Sequence, residues 1–153
     1  FCEPCAGDGA LIMHIQSFGK TCVAAYDVEI RTHGVVQKSF ETLTEDDLNG
    51  ATHIITNPPW DRKLLHPMIE KFSTLRPTWL LFDADWMHTV QSARYMHCLK
   101  KIVSVGRVKW IPNSKMTGKD NCCWYLFDST TEKLNYTNFV GRSAENDLTR
   151  FIG

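Results

Sequence analysis

The stretch EPCAGDGAL, Glu3 to Leu11, decides the fold. It follows the apolar pair Phe1-Cys2, so Phe1 to Glu3 reads as the end of a strand and Pro4 to Gly9 as a turn. A helix from Ala10 to Phe18 comes next, with Gly19 at its C-terminal end. Gly7 and Gly9 permit a tight turn and let a ligand lie against the backbone, and the helix start behind them offers N–H groups. A strand, a glycine turn and a helix in that order open an α/β unit.

The pattern continues outward in the same way. Thr21 to Tyr26 reads as a second strand ending at Asp27, the position at which a carboxylate can accept both hydroxyls of a ribose. Position 12 is Ile, so the third glycine of a dinucleotide fingerprint is missing; NAD is weakened and another adenosine-bearing ligand is favoured. Further strands are expected over Val35 to Phe40, Ala51 to Thr56 and Thr78 to Phe82, and later over Lys101 to Val105, Arg107 to Ile111 and Cys122 to Phe127. Helices are expected from Pro67 to Leu75 and from Met87 to Cys98, with a polar loop over Pro112 to Asn121. The alternation predicts one α/β domain over residues 1–153, with a mostly parallel central sheet flanked by helices.

A second stretch, IITNPPW from Ile54 to Trp60, ends a β-branched run with an amide, two prolines and a tryptophan. Ordinary turn chemistry accounts for one proline. The C-terminal end of a buried strand is where an open α/β sheet binds ligands. Pro58 and Pro59 lack N–H donors, so the turn presents carbonyl acceptors, to which Asn57 adds a side-chain oxygen. Trp60 supplies a flat face for stacking. Rigid acceptors beside an aromatic plate suit an exocyclic amine on an aromatic ring.

Composition bounds the rest. The chain has 153 residues, 43% of them hydrophobic and 22% charged, with zero formal net charge. That is enough chain for a core without staples. No apolar run is long enough to span a membrane, and no basic-then-apolar segment opens the chain as a signal peptide. Phe1 stands inside a strand without a preceding Met, from which we expect the natural protein to begin earlier. The six cysteines (2, 5, 22, 98, 122, 123) are irregularly spaced and read as reduced thiols of a cytoplasmic protein. Cys2-x-x-Cys5 has only the adjacent Cys122-Cys123 as a second pair, poor spacing for a metal, so none is expected. Residues 91–120 hold seven Lys or Arg and one acid, Asp120. This is either a phosphate-binding face or a solvated surface balancing Glu45, Asp46 and Asp47.

EPCAGDG followed by NPPW resembles the class I S-adenosylmethionine-dependent amino-methyltransferases, especially the DNA N6-adenine methyltransferases of bacteria and phages. Their cofactor turn precedes the NPP-aromatic motif, as here. GRVKWIPNSKMTGKDNCCWYLFD, Gly106 to Asp128, resembles the late segment of phage-type members. The resemblance implies a Rossmann-like fold and S-adenosylmethionine as cofactor. Glu3, Pro4, Cys5, Ala6, Gly7 and Gly9 would line its methionine part, Asp27 would hold its ribose, and Ser39 and Phe40 would meet its adenine. Ser39 stands where many relatives have Asp. Asn57, Pro58, Pro59 and Trp60 would be catalytic, with Trp60 holding a flipped base. Arg107, Lys109, Lys115 and Lys119 would contact DNA phosphates. Trp110 and Trp124 are core or stacking residues. His66 is expected near a helix start, Asp61 as a turn or cap, and Asp83 and Asp85 near the crevice. The setting implied is the cytoplasm of a bacterial cell or phage-infected host. The alternatives are an RNA, cytosine N4, guanine amine or protein glutamine acceptor, an inactive cofactor-binding domain, and an NAD-dependent oxidoreductase.

Overall fold

The computed structural model describes residues 1–108 and 118–131. Seven strands form one sheet: β1 (Cys2–Glu3), β2 (Ala24–Asp27), β3 (Val36–Gln37), β4 (Ile54–Thr56), β5 (Thr78–Asp83), β6 (Leu99–Arg107) and β7 (Asn121–Phe127). Their order across the sheet is β3-β2-β1-β4-β5-β7-β6. The pairings among β1 to β5 are parallel, and β7 runs antiparallel to both β5 and β6. The expected α/β architecture with a mostly parallel sheet and flanking helices is what forms. The order runs outward from β1 to β2 and β3 on one side, and from β4 to β5 on the other. The topological switch therefore falls between β1 and β4.

Alternation along the central strands sets the core. Ile54, Thr56, Thr78, Leu80, Phe82, Tyr125 and Phe127 are fully buried on one face. There they meet helix α2 (Arg62–Leu75) through Leu65, Met68, Ile69 and Phe72. Phe82 stacks on Tyr125 at 4.3 Å, and the Trp86 ring meets Phe82 edge-on at 5.1 Å. The other face carries Ile55, Trp79, Val103 and Trp124 beside helix α1 (Ala10–Ser17). Trp124, left open as core or stacking residue, lies on this partly covered face. No helix among the described residues is long and apolar enough to cross a membrane.

Several expected elements differ. The strand expected over Val35 to Phe40 shrinks to Val36–Gln37, because Ser39 caps a 3-10 turn over Phe40–Thr42, and the strand expected from Ala51 begins only at Ile54. The helix expected to open at Pro67 begins five residues earlier, because Asp61 accepts from the Lys63 N–H at 2.9 Å and caps it. Pro67 is carried inside the helix. Met87 to Cys98 is two 3-10 segments, Ala84–His88 and Val90–Tyr95. Thr89 Oγ1 donates to the Trp86 carbonyl, and Ser92 Oγ donates to the Met87 and Thr89 carbonyls. These side-chain bonds compete with the helical ladder. Lys101 to Val105 and Arg107 join in the single strand β6, kinked by register shifts at Leu99/Lys101 and Ser104/Gly106. Lys109, Trp110, Lys115 and most of the Pro112 to Asn121 loop lie outside the described residues.

Candidate active site

The glycine turn is built around Asp27. The Gly7 N–H donates to Asp27 Oδ2 at 2.8 Å, and Ala6 N–H donates to the Tyr26 carbonyl at 2.9 Å. Gly7 and Gly9 have φ of 54° and 80°, a left-handed conformation that favours glycine. A Cβ at Gly9 would sit 3.2 Å from Thr32 Cγ2, whereas one at Gly7 would meet open space. Gly9 N–H donates to the Ala6 carbonyl at 2.8 Å, and Ala10 N–H to Asp8 Oδ1 at 3.1 Å. Four donors at the turn and helix start are thus already engaged inside the protein. The turn is a scaffold more than the anion cradle its glycines suggest.

The neighbouring cavity holds about 240 Å³ and is lined by Pro4, Cys5, Asp27, Val28, Ser39, Phe40, Glu41, Pro59, Leu64 and Met68. Six of these (Pro4, Cys5, Asp27, Ser39, Phe40, Pro59) were expected from the sequence, coming from four separate loops. Val28, Glu41, Leu64 and Met68 were missed. Leu64 and Met68 stand one helical turn apart on α2, a spacing visible in the sequence once the helix start is placed at Asp61. Among the described residues of the lining, Asp27 and Glu41 are the charged groups. Phe40 is 7% exposed and also packs edge-on against Phe72 at 6.0 Å, so it is core and cavity wall at once. Ser39 caps the 3-10 turn after it, accepting weakly from the Glu41 N–H at 3.4 Å. Of the other expected site residues, Glu3, Ala6, Gly7, Gly9, Asn57, Pro58 and Trp60 do not line the cavity; Ala6 packs with Ala25 and Val35.

Glu3 ends β1, is 1% exposed and is not among the residues that line the cavity. Thr56 Oγ1, from β4, donates to its Oε1 at 3.2 Å, joining the two strands that flank the switch. Its Oε2 is buried without a hydrogen-bond partner. Burial pushes the Glu3 carboxyl up to about 8, the Thr56 bond opposing this and the nearby Asp27 charge adding to it. Cys5 is pushed up to about 12, also chiefly by burial, so it is an inert thiol.

Asn57 follows β4 directly, and its Oδ1 is the second buried oxygen at this edge without a partner. Pro58 is buried, Pro59 exposed and Trp60 half-buried against the main core. His66, Asp61, Asp83 and His53 take structural parts. His66 Nε2 accepts from the Trp86 indole at 3.0 Å, and burial first, then Arg94 and Arg62, lower its pKa. Asp83 Oδ1 caps the 3-10 turn at Asp85. His53 precedes β4 and so lies at the opposite end of that strand from Asn57.

Arg107 ends β6 opposite Asn121, while Cys122 pairs with Asp83 at the C-terminal end of β5. Arg107 and the exposed Lys119 therefore stand at the same sheet edge as Asn57. Three strand spacings separate β4 from β6, roughly 14 Å. Among the described residues, no group of three or more His, Cys, Asp or Glu is placed to hold a metal ion, and all six cysteines are free. No protein-family model matches the chain, and no curated protein is detectably similar to it.

Proposed function

We propose that the protein transfers a methyl group from S-adenosylmethionine to the exocyclic amine of a nucleic-acid base, most simply adenine N6 in DNA. The observation that carries this reading is the buried, unpartnered Oδ1 of Asn57 at the ligand edge of β4. A buried acceptor without a donor costs stability, on the order of 1–3 kcal/mol, and is retained where a ligand supplies the donor. The next residues, Pro58 and Pro59, bring no N–H to compete for it.

The cofactor fits the residues present. The crevice is acid-rich and poor in free donors, which suits a cationic ligand and disfavours the pyrophosphate of a dinucleotide. The cavity is smaller than the roughly 300–1,000 Å³ of drug-sized ligand sites. It suits one end of an adenosine ligand, with Asp27 for the ribose and Phe40 and Val28 as apolar walls for the base. S-adenosylmethionine supplies an electrophilic methyl group on a sulfonium.

The chain supplies acceptors and position. Asn57 Oδ1 and the Pro58 carbonyl would accept the two N–H bonds of the target amine. They pull its lone pair out of conjugation with the ring and stabilise the positive charge that grows on nitrogen. Trp60 would stack on the base, which in duplex DNA must leave the helix to reach this edge. Arg107 and Lys119 would meet phosphates on the flank.

The test is transfer of labelled methyl from the cofactor to unmethylated DNA, with calorimetric cofactor binding measured alongside. Asn57→Ala should abolish transfer while retaining cofactor binding. Labelling of RNA or of a protein glutamine, with none on DNA, would redirect the acceptor. A folded chain that binds no S-adenosylmethionine would refute the reading.

A further inference from the structure

Along α2, Arg62, His66 and Glu70 recur every four residues and so share one face. All three reach the 3-10 segment that follows β5. Arg62 Nη1 donates to Gln91 Oε1 at 2.8 Å, Glu70 pairs with Arg94, and the Trp86 indole N–H donates to His66 Nε2 at 3.0 Å. The first two contacts are exposed and contribute little, whereas the Trp86–His66 bond is part-buried. An indole nitrogen can only donate, so His66 is held with Nε2 bare and its proton on Nδ1. A second proton, at Nε2, would set N–H against N–H.

We propose that His66 is a proton-operated latch on Ala84–Tyr95, closed while the imidazole is neutral and released when Nε2 takes up a proton. In that step a proton from solvent bonds to Nε2, the hydrogen bond from Trp86 is lost, and the ring becomes a cation. The groups that face it are Arg94 and the Tyr95 and Trp86 rings from the segment, and Arg62 and Glu70 from α2. Two cations against one acid repel the imidazolium and turn it toward solvent. Trp86 stays packed on Phe82 and Tyr125, so release loosens the segment and leaves the sheet intact. The segment starts at the same sheet edge as Asn57, and α2 starts two residues after Trp60, so the latch lies beside the candidate site. It operates whatever that site binds.

The sign follows from the two states. With the latch closed, burial and then the Arg94 and Arg62 charges lower the His66 pKa; with it open, the ring titrates near its ordinary 6.5. The latch is therefore firm above about pH 6.5 and opens below it, by at most about tenfold per pH unit.

Nitrogen-15 NMR of the wild-type histidine rings tests the tautomer, and amide-exchange protection from pH 7.5 to 5 tests the release. At pH 7.5 the His66 proton should sit on Nδ1. As His66 titrates, the Trp86 indole N–H resonance should move with the same midpoint. Protection over residues 84–95 should fall with it, while β4 and β5 keep theirs. His66→Gln puts an amide oxygen that does not titrate near the place of Nε2, and should keep the segment protected at pH 5. A neutral ring protonated on Nε2, or wild-type protection over 84–95 that does not change with pH, overturns the proposal. So does a His66→Gln chain that loses protection as the wild type does. The first two readouts use the wild-type chain alone and decide the matter even if the variant does not fold.

Discussion

Asp27 is already engaged within the protein. Its place after β2 led to the expectation of a ribose acceptor, but Oδ2 accepts from the Gly7 N–H and Oδ1 from the Glu29 N–H at 3.0 Å. Asp27→Ala should therefore destabilise the apo protein by about 1–3 kcal/mol, since the Gly7 donor loses its partner. Asp27→Asn retains an acceptor there and should lose much less, a difference that urea denaturation resolves. Glu3 gives a second prediction at this scale. Its folded pKa is raised, so the folded state holds the proton that the unfolded state releases above about pH 4.5. Stability should fall as pH rises from about 5 to 8, approaching 1.4 kcal/mol per unit at its steepest, and Glu3→Gln should flatten that dependence. Thermal unfolding of the free chain across that range is the measurement. Neither property was legible in EPCAGDG, because burial and a missing partner are facts about neighbours.

Among the elements, α2 shows best how a local signal was outweighed. Pro67 suggests a helix start, yet Asp61 supplies a side-chain acceptor and Leu65 N–H reaches the Asp61 carbonyl at 2.8 Å. The apolar face of Leu65, Met68, Ile69 and Phe72 then holds the longer helix on the sheet despite the bond lost at proline. Asp61→Ala should cost about 1 kcal/mol of stability, within the range for lost N-caps. Because α2 carries Leu64 and Met68 to the cavity, the same change should also weaken ligand binding, which calorimetry would detect. The segment after β5 fails as a helix for the opposite reason. Thr89 and Ser92 spend their hydroxyls on nearby carbonyls, and Trp86 is pulled into the aromatic cluster.

At the scale of the whole molecule, the sheet order brings together loops that are far apart in the chain. The glycine turn and Asn57 come to the same end of the sheet because β1 pairs with β4, with Cys2 opposite Ile54. The antiparallel β7 returns Arg107 and Lys119 to the same edge, and if that edge docks DNA, Lys119→Glu should weaken binding equally across sequences. The slope of log affinity against log salt should become shallower by about one, measured by fluorescence anisotropy at several salt concentrations. The sequence by itself determined the α/β class and the two turns, while the cavity residues Pro4, Cys5, Ser39 and Phe40 were named only through the family resemblance. The class and the turns depend on local rules: glycine at positive φ, proline without a donor, and alternating burial along a strand. Only the tertiary structure decided that Glu3 is isolated in the interior, that Asn57 Oδ1 lacks a partner, and that Glu41, Leu64 and Met68 reach the cavity. Each of these follows from which strands pair and which helix covers them, a long-range matter that no short stretch of sequence contains.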